Sequence, residues 1–140
     1  MIPINYLAVL AAAAFSVVLG FTWYGPLFGK IWMKTMGVTK DSITKEKMKE
    51  MNKNYVLMML GTLLIAFTLS HVIVFSSAYF KYETVTTGLM SGFWIWLGFF
   101  APLQMDEILW GGRPWKLFFI NTSYRLVALL GMGVILAVWR

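Results

Sequence analysis

Apolar residues in this chain fall into four long runs divided by three polar links. Residues 4–23 hold no charge at all. Residues 56–75 are interrupted only by Thr62, Thr68, Ser70 and His71. Residues 85–104 are rich in glycine and aromatics, and residues 118–139 carry a single charge, Arg125. At a rise of ~1.5 Å per residue, a run of ~20 residues spans a hydrocarbon core of ~30 Å. The pattern predicts an all-α polytopic membrane protein, a four-transmembrane-helix bundle with one membrane domain over residues 1–140.

Each run has its own internal pattern. In the first, Ala8, Ala12, Ser16 and Gly20 recur every fourth residue and form a small-residue stripe along which another helix can approach closely. In the third, Gly88 and Gly92 have GxxxG spacing, which makes that span a partner for the stripe. Spare small-residue faces would also suit a homodimer. No Lys or Arg precedes Lys30, so the first run reads as a retained helix and not as a signal peptide. The two halves share an order of spans and links, with no residue-level match between them.

The links set expectations of their own. Pro26 and its flanking glycines are expected to end the first helix, and Pro102 to help end the third. Residues 39–54 predict a short separate helix with Ile43, Met48, Met51 and Tyr55 on one face. The link at 76–84 carries Lys81 and Glu83. Seven lysines lie between Lys30 and Lys53, and Arg113 and Lys116 occupy the last link, whereas the opposite side has only Lys81 and Arg140. The positive-inside rule then places both basic links in the cytoplasm and both termini outside.

Composition narrows the function classes. Of 140 residues, 59% are hydrophobic and 13% charged, about half the charged share of a soluble domain. The absence of cysteine excludes thiolate chemistry and disulfides, and a single histidine excludes a multi-histidine metal site in one chain. The net charge of +6 sits beside hydrophobic runs, where basic clusters meet anionic lipid, so nucleic acid is not the expected partner. The segment GPLFGK at 25–30 lacks the spacing and hydroxyl of a phosphate loop, Asn121-Thr122-Ser123 lies inside a span, and Gly131 and Gly133 lack the strand of a dinucleotide loop.

Candidate chemistry sits on the fourth run. Asn121 and Arg125 are four residues apart and share a face, with Tyr124 beside them. Helical side chains lean toward the helix N-terminus, which directs Arg125 toward Trp23, Tyr24, Asp106 and Glu107. Two readings stand: a group that binds an anionic headgroup or carboxylate, or a structural ion pair with Asp106 or Glu107. His71 is either a proton carrier or a hydrogen-bonded packing residue. No nucleophile, base and orienting group line up, so no enzyme and no cofactor is expected. A non-catalytic protein binding a lipid or protein partner is the first expectation. A small dimeric transporter using Arg125, Asn121 and His71 is the second.

Several segments also resemble a known family. NYLA at 5–8, WYGPLFGKIWM at 23–33, GFWIWLGF at 92–99 and RPWKLFFINTSYRLV at 113–127 are similar to the domain-of-unknown-function family 1761. The resemblance spans nearly the whole chain. It implies a small, mostly bacterial membrane protein of four helices, with no assigned activity, in which histidine often stands at the position of Arg125.

Overall fold

A computed structural model describes residues 3–81 and 84–140; Glu83 of the second link lies outside them. The described residues are all-α, and four helices are long and apolar enough to cross a membrane. Helix α1 (Tyr6–Thr22) is capped by Asn5, whose side chain accepts from the amides of Leu7 and Ala8. It continues without a break into a π-helical turn, Trp23–Leu27. Helix α2 (Gly29–Met36) ends at Gly37 and is followed by a 3-10 turn, Lys40–Ser42. Then come α3 (Lys45–Phe80), α4 (Thr84–Ile95), a second π-helical turn (Trp96–Phe100), α5 (Ala101–Gly111) and α6 (Trp115–Val138).

Two boundaries differ from the sequence expectation. Residues 39–54 do not form a separate helix: from Lys45 onward they are the first turns of α3, which runs 36 residues, about 54 Å. Thr44 caps its start, and no glycine or proline falls between Lys45 and Leu60 to stop a run of good helix formers. Met48, Met51 and Tyr55 remain exposed. Pro26 does close the first helix, which ends one residue later at Leu27, whereas Pro102 does not end the third, which continues to Gly111. A proline inside an α-helix meets the carbonyl four residues back, and a π turn widens the backbone at that point. Pro26 lies within the first π turn, and Pro102 two residues beyond the second.

Helix α6 is the most buried of the four long helices and touches the other three. Its glycines explain how. A Cβ on Gly131 would overlap the ring of Phe15 from α1. A Cβ on Gly133 would overlap the backbone carbonyl of Gly88 in α4, and the reverse is equally true. Residues 131 and 133 project to nearly opposite sides of a 3.6-residue helix, so this pair admits α1 on one side and α4 on the other. Gly92 repeats the close approach one turn on, its Cβ position 2.5 Å from the Leu129 carbonyl oxygen. Helix α3 packs against α1, α4 and α6 and closes the bundle.

The GxxxG pair therefore packs on α6 and not on the stripe of α1. The stripe is used as well: Ala8, Ala12 and Ser16 are buried against α3 and α6, and a Cβ on Gly20 would lie 3.1 Å from the Tyr124 hydroxyl. Both small-residue faces are thus used inside the protomer.

Gly133→Leu should separate α4 from α6. Overpacking costs about 1–3 kcal/mol where side chains can give way, and here the obstacle is backbone, so the loss should reach or exceed the upper figure. Gly61→Leu has open space around its Cβ position and serves as the control. Thermal unfolding in detergent should show a large drop in Tm for the first substitution and little change for the second.

Candidate functional site

The site is built on one and a half turns of α6, from Ile120 to Arg125. Two indoles hold it from opposite sides. Trp23, the first residue of the first π turn, donates its Nε1–H to the Ile120 carbonyl at 3.1 Å. Trp96, the first residue of the second π turn, donates to the Thr122 carbonyl at 2.9 Å and lies 3.1 Å from Thr122 Oγ1. A helical carbonyl has a second lone pair free for such a bond, and a buried indole N–H needs an acceptor. Each π turn thus delivers a tryptophan to the same stretch of α6.

Between the indoles lie three polar side chains with fixed partners. The Tyr124 hydroxyl donates to the Ser16 carbonyl at 2.9 Å and lies 3.2 Å from Ser16 Oγ, which can donate back to it. Both residues are buried, and the absence of a side chain at Gly20 makes room for the phenol. The Tyr24 hydroxyl donates to Asn121 Oδ1 at 2.7 Å. Tyr24 is itself held edge-on between Trp32 of α2 and Tyr124. Helix α2 can fold back this closely because Gly29 has no Cβ, which would stand 2.5 Å from the Tyr24 carbonyl oxygen.

Arg125 lies ten residues into α6, about 15 Å from its start and near its midpoint. Its guanidinium carbon is 5.3 Å from the centroid of Tyr124 and 5.6 Å from that of Phe100. Each cation–π contact contributes ~0.5–2 kcal/mol, depending on how dry it is. Insertion scales put an arginine at mid-depth ~2.5–3.5 kcal/mol uphill. Two such rings are together of a size to offset a large part of that cost for a helix that crosses a bilayer, without using any of the five N–H donors. Among the described residues, neither those donors nor the amide nitrogen of Asn121, one turn away on the same face, has a protein acceptor. Elsewhere on α5, Gln104 has a buried Oε1 with no hydrogen-bond partner among the described residues.

The structure thus brings together Trp23, Tyr24, Asn121, Tyr124 and Arg125. It does not bring Asp106 or Glu107 to the arginine, and no ion pair joins them among the described residues. Both acids are exposed on α5, beginning six residues and about 9 Å beyond Phe100, because that helix continues past Pro102 to Gly111. His71 is also elsewhere. Its Nδ1–H donates to the Phe67 carbonyl at 2.9 Å, one turn back in α3, and its ring lies edge-on to Phe67. Phe67 in turn stacks on Tyr6 at the far end of α1, some 27 Å along that helix from Tyr24.

The sequence reading missed Ser16 as a hydrogen-bond partner, and Trp96, Thr122 and Phe100 as members of the site. One signal was available: Trp96-Leu97-Gly98 repeats the spacing of Trp23-Tyr24-Gly25, and each begins a π turn.

A family model described as a protein of unknown function, DUF1761, matches residues 7–137, and the chain belongs to that family. No curated protein and no solved structure matches it.

The Tyr124 hydroxyl should be a measurable part of the α1–α6 contact. Tyr124→Phe removes both of its bonds to Ser16 and keeps the ring. Interhelical hydrogen bonds in membranes average ~0.6 kcal/mol with a ceiling of ~1.7. Unfolding by denaturing detergent should place the loss within that range.

Proposed function

We propose that this DUF1761 protein is a non-catalytic membrane protein of four spans that binds an anionic group at Arg125. The observation that carries this reading is the arginine itself: a permanent positive charge near the middle of an apolar helix, seated on two rings, with its N–H donors uncommitted. An arginine neutralised by a carboxylate would have no reason to recruit a ligand. This one, with the amide of Asn121 beside it, presents the donors that a carboxylate or phosphate accepts. The bonds from Trp23, Trp96 and Tyr24 to α6 support a pre-formed site over one that moves through a transport cycle.

In this reading the chain lies in the cytoplasmic membrane. The lysine-rich segment, α2 to the first turns of α3, faces the cytoplasm beside anionic lipid, and both termini face outward.

Two experiments test the reading. The first follows the Arg125 Nε–H resonance by NMR in nanodiscs of zwitterionic lipid, identified by its loss in Arg125→Gln, while acetate or inorganic phosphate is added. A saturable shift is expected, and a resonance that stays in place at high anion concentration refutes anion binding. The second uses Ser42→Cys, the sole thiol in a chain without cysteine. It should resist an impermeant maleimide added outside intact cells and react once the membrane is opened. Labelling from outside reverses the topology.

A further inference from the structure

The chemistry around Arg125 is lopsided, with charge on one side and hydrocarbon on the other. Phe100, whose ring meets the guanidinium, also lines a cleft of about 250 Å³ between α3, α4 and α6. Leu129, one turn beyond Arg125 on α6, lines the same cleft, so the charge and the cleft share a helix face as well as a ring. Leu69 and Leu129 are fully buried and form the floor, while Leu64 and Thr68 are exposed at the mouth. Thr68 is the only polar residue in the lining.

We propose that the ligand of Arg125 is a single-chain anionic amphiphile, a carboxylate or phosphate monoester on one hydrocarbon chain, whose tail lies in this cleft. The inference rests on the anion reading above and adds the tail. Three features select a single chain. The cleft is smaller than the ~300–1,000 Å³ of an ordinary small-molecule pocket and has room for one hydrocarbon chain but not for two. The guanidinium belongs to a residue about 15 Å from one end of α6 and about 20 Å from the other. A two-chain lipid keeps its headgroup at the interface, whereas a single-chain acid can sink to that level when a cation receives it. Finally, the arginine leans toward the N-terminus of α6 and Leu129 lies toward the C-terminus, so head and tail sites follow one another along the helix axis.

The test uses the full chain in phosphatidylcholine nanodiscs and a long-chain fatty acid carrying a mid-chain diazirine. After illumination, mass spectrometry should find saturable labelling on the peptides that contain Leu64, Leu69, Ile95 and Leu129. Labelling should fall about tenfold in Arg125→Gln, the loss expected of a charge-assisted contact. It should fall comparably in Thr68→Trp and Leu64→Trp, which fill the mouth from exposed positions and leave Arg125 in place. The matched long-chain alcohol should label weakly, and phosphatidylglycerol in the nanodisc should not compete. Equal labelling by acid and alcohol, full labelling in both tryptophan variants, or displacement by phosphatidylglycerol would overturn the proposal. If the amphiphile fails while acetate still shifts the Arg125 resonance, the tail is wrong and the anion site stands; if acetate also fails, both fall.

Discussion

The contact on which the rest depends is the backbone-to-backbone approach of α4 and α6 at Gly88, Gly92 and Gly133. Between apolar helices in lipid, burial of leucine brings little net gain, because the tails it leaves are as apolar as the protein it joins. Association then relies on close van der Waals packing and on hydrogen bonds across the gap. Glycine supplies the first, and by bringing the axes together it permits the second. Trp96 reaches the Thr122 carbonyl because Gly92, one turn earlier, has already brought α4 against α6. Phe100 meets Arg125 by the same geometry: in antiparallel helices each side chain leans toward its own N-terminus, and the two converge. A bulkier residue at Gly88 or Gly92 would move the ring from the charge as well as loosen the bundle.

The π turns have the complementary role. Each opens with a tryptophan, lies at or just before a proline, and leads into a shorter helix that ends on a glycine with positive φ, Gly37 at 69° and Gly112 at 65°. The halves α1–α3 and α4–α6 thus share an order of elements, and in both the indole is delivered to α6. The match is hidden in the primary sequence because the links differ in length: several residues and a 3-10 turn separate Gly37 from α3, whereas only Arg113 and Pro114 separate Gly112 from α6. Strict periodicity is absent while the local Trp-x-Gly signature persists.

The four long helices were legible because each needs a run of apolar residues, and each predicted run lies within an observed helix or nearly so. The stripe of Ala8, Ala12 and Ser16 was legible as a packing face, although its partners were not. Two things could not be read. Length of α3 depended on the absence of a stop signal, and lysines and glutamates look the same in a link as in the exposed first turns of a long helix. Partners of Arg125 depended on the second π turn, which shifts the register of everything after Trp96 and so decides which face Phe100 and Asp106 occupy. Of the two readings of Arg125, the ion pair with Asp106 or Glu107 has no support in the structure, because α5 carries both acids past the arginine and exposes them.

Rings in place of a carboxylate change what the arginine can do. A closed ion pair in a dry setting satisfies the guanidinium and removes its field, and opening it would cost several kcal/mol. A quadrupole lowers the cost of the charge while leaving the N–H groups, which lie in the plane of the guanidinium, free to donate. Lysine would serve poorly here, since a compact, strongly hydrated ammonium neither lies flat on Tyr124 and Phe100 nor presents two parallel donors. Planarity, permanent charge and weak hydration let one side chain remain at mid-helix uncompensated by protein, in the condition that favours an incoming anion.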